Sequence, residues 1–106
     1  MTYITMVAYP FVADAKFNLQ YYTNNHMELV SKHWKRYGLL DWKVVTFDAA
    51  PDGSKQYSVA STMTWESAEG FQDAMKSETA AELAADMENF SDRPPVFLIG
   101  NVAASG

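Results

Sequence analysis

The chain contains no cysteine. Disulfides, thiolate nucleophiles, zinc ribbons and iron–sulfur clusters are therefore excluded as sources of stability or chemistry. It has only five glycines and four prolines, so no segment reads as a flexible or proline-rich linker. Basic runs are missing too. Eight lysines and arginines stand against thirteen aspartates and glutamates, a net charge of −5. That balance argues against nucleic acid and anionic membrane as partners. The apolar start, residues 1–12, has neither a basic flank nor a small-residue cleavage site, and it is too short to span a bilayer. The default expectation is a cytoplasmic protein. At 106 residues the chain is expected to form a single domain, 1–106, small enough to bury part of its apolar surface between subunits.

Aromatic side chains, in contrast, are plentiful, and many cluster near one segment, Phe17 to Gly38. It reads as one amphipathic helix. Asn18 can accept from a free N–H of the first turn, and Gly38 suits the left-handed residue that ends a helix. At about 100° per residue, Leu19, Tyr22, Leu29, Val30, Trp34 and Tyr37 share one face. Gln20, Asn24, Glu28, Ser31, Lys32 and Lys35 share the other. The two histidines, His26 and His33, fall on the apolar face although a wet face is available. A histidine so placed more often packs as a hydrogen-bonded core residue than acts in chemistry. Two on one stripe raise the functional reading, because imidazole is the side chain best suited to move protons near neutral pH. Their spacing of seven, about 10 Å of helix, is too long for one metal ion.

Strands flank this helix. Tyr3 to Phe11 is rich in β-branched and aromatic residues, and Asp41 to Asp48 reads likewise. Tyr57 to Trp65 alternates with period two, and the Pro51-Asp52-Gly53-Ser54 turn joins it to the preceding strand as a hairpin. Ser67 caps a second helix with Ala68, Phe71, Ala74 and Met75 inward. The helical pattern restarts at Ser77, with Leu83 and Met87 inside and Glu78, Glu82 and Asp86 outside. Val96 to Val102 is the last strand. The order βαββαβ predicts a ferredoxin-like α+β fold, a four-stranded antiparallel sheet with its helices on one face. Both phases of the first, second and last strands carry apolar residues, so the helix-free face needs a cover. The simplest is a second copy, giving a homodimer.

The segment Phe17-Asn18-x-x-Tyr21-Tyr22-x-x-x-His26-Met27-x-Leu29-Val30 resembles the signature of the EthD family of small dimeric α+β-barrel proteins. Tyr37-Gly38-Leu39, Asp52-Gly53, Phe71, Asn89-Phe90-Ser91-Asp92 and Pro95-Val96-Phe97-Leu98-Ile99-Gly100 extend the likeness over most of the chain. Asn18 stands where members often have aspartate, an equivalent cap. Glu28 stands where many have proline, which implies a straighter helix here.

The resemblance implies an apolar pocket between sheet and helices, worked by one or two polar groups, and a generic oxidoreductase-related description. It also implies a small apolar or aromatic ligand in a catabolic or tailoring pathway, with no cofactor and no metal. On that reading His26 is the general acid/base, Tyr22 and Trp65 shape or orient the ligand, and Asp92 steers an imidazole or holds a ligand hydroxyl. Each has a plainer alternative: Tyr22 and Trp65 as core, Asp92 as a turn residue. His33 reads as structural. The competing function is a non-catalytic binding or accessory protein for a partner oxygenase, with His26 only donating a hydrogen bond. A histidine holding haem iron is a third and weaker possibility.

Overall fold

The computed structural model describes residues 2–106; Met1, the first residue of the expected domain, lies outside them. Four strands, β1 (Tyr3–Pro10), β2 (Leu39–Thr46), β3 (Tyr57–Trp65) and β4 (Val96–Asn101), form one antiparallel sheet in the order β2-β3-β1-β4. This is the ferredoxin-like arrangement. Among the described residues no helix is long and apolar enough to cross a membrane.

Local chemistry sets the element ends. The β2–β3 connection turns at Gly53, whose φ of 87° suits glycine, while Asp52 Oδ1 accepts from the amide (3.0 Å) and hydroxyl (2.7 Å) of Ser54. Ser67 caps α3 (Ala68–Lys76) by accepting from the Gly70 amide at 3.1 Å. Extended backbone at Ser77 separates α3 from α4 (Glu78–Asp86). The 3-10 turn Met87–Asn89 then leads into the crossing toward β4. There Asn18 N donates to the Phe90 carbonyl at 2.8 Å, tying the crossing to the start of the first helical segment.

That first segment corrects the reading of one regular helix. It begins as a short turn, α1 (Leu19–Tyr21), capped by Asn18 Oδ1 on the Tyr21 amide at 3.0 Å. It widens into a π-turn at Tyr22–His26, where the Met27 N–H donates to the Tyr22 carbonyl. It then resumes as α2 (Met27–Trp34), tightens to 3-10 at Lys35–Tyr37, and stops at Gly38 with φ 97°. Glu28 itself lies within the regular stretch α2. The Thr23 hydroxyl donates to the carbonyls of Leu19 (3.1 Å) and Gln20 (3.3 Å) and competes with the backbone ladder where the turn widens.

An added residue in one turn rotates everything after it by about 100°. The buried residues of the segment are Tyr22, His26, Met27, Val30 and Trp34. Leu29, expected inside, is 37% exposed, and Leu19 is exposed as well.

On the helix side of the sheet, Tyr9, Val59, Met63 and Trp65 pack against Tyr22, Val30 and Trp34. The other face carries Ile4 and Met6 of β1, Val45 of β2 and Val96 and Leu98 of β4, interspersed with Ser58, Thr62 and Thr64 of β3. On it Ala8 and Ala60 are buried, while Met6, Val45, Val96 and Leu98 are all exposed.

Candidate functional site

The π-turn sets the site. It places Tyr22 and His26 side by side, with rings nearly parallel (13°) and 5.5 Å between centroids. π-turns inside α-helices occur frequently at functional positions. Phe90 closes the other side, 4.6 Å from the His26 ring and 4.7 Å from that of Tyr22. The imidazole is thereby fixed among aromatic rings.

His26 Nδ1 lies 2.9 Å from Asp86 Oδ2 at the end of α4. Asp86 Oδ1 accepts from the Tyr21 hydroxyl at 2.7 Å and from Asn89 Nδ2 at 2.9 Å. Burial acts to raise the Asp86 pKa, but the hydrogen bonds from Tyr21, Asn89 and His26 outweigh it and hold the carboxyl below the usual aspartate value. The Tyr21 phenol is pushed up, first by its hydrogen bond to that carboxylate. An ionised carboxylate only accepts, so Nδ1 carries the proton of the neutral ring and Nε2 carries the lone pair. Among the described residues Nε2 has no hydrogen-bond partner.

His26 borders an apolar cavity of about 170 Å³ between the sheet and the helices. Its floor includes Thr5, Tyr9 and Ser61, its roof Tyr22, Met27 and Val30. Phe97 and Ile99 of β4 also line it, although they are 64% and 56% exposed, so the cavity is thinly walled on that edge. No lysine, arginine, aspartate or glutamate lines it among the described residues. Its volume is close to that of a cavity of about 150 Å³ that takes up benzene, and far too small for a porphyrin. Burial pushes the Tyr22 phenol up to about 12, against a smaller lowering by Ser61 and Tyr9, and raises the Tyr9 phenol further. Both therefore stay protonated, as neutral hydroxyls.

Of the residues singled out from the sequence, His26 and Tyr22 meet in the cavity wall. Trp65 is fully buried outside the lining, with Nε1 donating to Thr5 Oγ1 at 3.0 Å. Asp92 stands in the crossing, where Oδ1 accepts from the Lys16 amide at 2.9 Å; it borders open surface clefts, not the cavity. His33 Nε2 lies 3.7 Å from Glu82 Oε2 in a partly exposed pair.

Sequence reasoning missed Asp86, which it placed on the outer face. The signal was available: Asp86 follows the buried Leu83 by three residues, and so belongs to the inner stripe of α4. It missed Ser61 as well, hidden among the apolar residues of β3.

The chain resembles several solved structures along nearly its whole length. An EthD-like protein from Ralstonia eutropha JMP134 is 26% identical with a TM-score of 0.88, covering 99% of this chain and 95% of that one. An ethyl tert-butyl ether degradation (EthD) family protein from Bacillus halodurans C-125 is 23% identical with a TM-score of 0.76, covering 96% and 99%. A dimeric ferredoxin-like protein from Jannaschia sp. CCS1 shares the fold at 10% identity, with a TM-score of 0.66 and coverage of 95% and 98%. No curated protein matches the chain. The EthD domain profile matches residues 13–94, which contain the Tyr22–His26 turn and Asp86 together, and the chain belongs to the EthD family.

Proposed function

We propose that this EthD-family protein acts on a small apolar or aromatic compound by cofactor-independent proton transfer, with His26 as the general acid/base. One observation carries the reading: Nδ1 of His26 is held by Asp86, Nε2 makes no hydrogen bond among the described residues, and His26 lines an apolar cavity. A carboxylate on one nitrogen fixes the tautomer and supports the positive charge that develops when the other takes a proton. The step is a C–H or O–H proton moving from ligand to Nε2 and then back to the same or a neighbouring ligand atom. Asp86 is a positioning residue in this scheme, and Tyr22 orients the ligand through its ring and neutral hydroxyl. Trp65 acts indirectly, by fixing Thr5 under the cavity. Asp92 takes its part by docking the crossing that carries Phe90 onto Lys16.

The working unit is a homodimer joined through the helix-free sheet face. Support comes from the exposed Met6, Val45 and Leu98 on that face and from the dimeric state named for the Jannaschia protein.

The carrier reading draws on the same cavity, whose lining among the described residues includes no charged side chain besides what His26 can carry. His26→Gln separates the two. Loss of turnover with ligand binding retained supports catalysis; binding without turnover in the unaltered protein supports a carrier.

A further inference from the structure

We propose that Ser61 is the hydrogen-bonding anchor for the ligand, and that the ligand is a neutral single-ring compound with one oxygen attached to the ring, a ketone or a phenol. The inference rests on the reading above that the cavity holds the ligand.

Ser61 lies near the middle of β3, paired with Val7 on one side and Val44 on the other. It is 1% exposed and lines the cavity floor. Its Oγ is the only side-chain polar atom among the described residues that is wholly shut off from solvent and lacks a hydrogen-bond partner. The Tyr22 hydroxyl is close enough to Ser61 for hydrogen bonding between them to lower its pKa, yet Ser61 Oγ has no partner in full hydrogen-bond geometry. Buried unpaired hydroxyls are uncommon because desolvation is left uncompensated. A ligand atom that completes the pairing removes that penalty. Of the other two hydroxyls on the floor, that of Thr5 already accepts from Trp65 Nε1, and that of Tyr9 interacts with Tyr22.

Charge and size narrow the ligand. The lining contains no cation to neutralise a carboxylate or phosphate, and the Tyr9 and Tyr22 hydroxyls stay neutral. A neutral oxygen that can accept or donate, a carbonyl or phenolic hydroxyl, satisfies Ser61 without burying a charge. A cavity of about 170 Å³ holds one six-membered ring with a small substituent.

The test is fluorine NMR titration of the full chain with 4-fluorophenol, fluorobenzene and 4-fluorobenzoate. The unaltered protein is expected to bind 4-fluorophenol about tenfold more tightly than fluorobenzene, the worth of one hydrogen bond, and 4-fluorobenzoate weakest of the three. Ser61→Ala loses no bond within the protein, so it should fold, and it should bring 4-fluorophenol down to the affinity of fluorobenzene. Ser61→Cys, of similar size but a weaker partner, should move the same way. If the preference for 4-fluorophenol survives both substitutions, Ser61 is not the anchor, while the cavity reading stands. Tight binding of 4-fluorobenzoate overturns the neutrality argument. If none of the three binds the unaltered protein, the cavity reading fails and this inference fails with it.

Discussion

His26 and Asp86 meet at 2.9 Å although 60 residues separate them in the chain. One sits at the end of a π-turn, the other at the end of α4, and only the fold brings them together. Asp86→Asn keeps the size of the side chain but can offer an N–H where the carboxylate accepts. The proton of the neutral ring should then move from Nδ1 to Nε2 in part of the population. Nitrogen-15 NMR of the histidine side chain reads this directly. An unchanged tautomer in the variant would mean that Asp86 does not set it.

The same carboxylate predicts a pH dependence. The folded pKa of Asp86 lies below its ordinary value of 3.8, so its contribution to stability is present above that value and is lost as pH falls through the folded one. Unfolding in urea should show Asp86→Asn less stable than the unaltered protein at about pH 7, with the gap narrowing at about pH 3. A gap that holds constant into acid would show that the pairing is not electrostatic.

The rotation imposed by the π-turn is testable at neighbouring positions. Met27 is buried and Leu29 is 37% exposed. Met27→Ala should cost about 2–5 kcal/mol. Leu29→Ala should cost under about 1 kcal/mol, the range for substitutions away from the core. Equal costs at the two positions would contradict the difference in burial.

Gly70 is a constraint of another kind. A β-carbon there would collide with the carbonyl of Tyr37, so the start of α3 lies directly against the end of the preceding 3-10 turn. Gly70→Ala should lower stability by about 1–3 kcal/mol, as overpacking does. Thermal melting would show this, and an unchanged midpoint would contradict the close approach.

Dimerisation is a further structural expectation. Light scattering should give a dimer at micromolar concentration, with roughly 2,000 Å² or more buried in total. Leu98→Glu, on the open sheet face and 52% exposed, should yield monomers. A monomer from the unaltered chain would leave that face unexplained.

Much of this was legible because it is local. Asn18, Gly38, Ser67 and the Asp52-Gly53 turn act within a few residues of themselves, and each appears where short-range chemistry puts it. The alternation of Tyr57 to Trp65 fixed which side of β3 meets the helices. The π-turn has no such signature, since a single wide turn leaves no period to count; Tyr22, His26, Val30 and Trp34 were nevertheless placed inward, while Leu29 was placed inside and Met27 was not. Asp86 was hidden by a different habit, that of sending acidic residues to water. Its burial is compensated by Tyr21, Asn89 and His26, two of them from a distant helical segment. Ser61 was unreadable in principle, because the absence of a partner is a property of three-dimensional packing.

Proton transfer by His26 is tested most directly by deuterium exchange into a small cyclic ketone. Cyclohexanone, a single ring with one carbonyl oxygen, is incubated with the protein in heavy water, and incorporation at the carbons beside the carbonyl is followed by NMR. The unaltered protein should accelerate exchange by about 10²–10⁴ over His26→Gln at equal concentration, the usual worth of general acid–base catalysis. Equal exchange rates with the two proteins, while both bind the ketone, would contradict a catalytic His26.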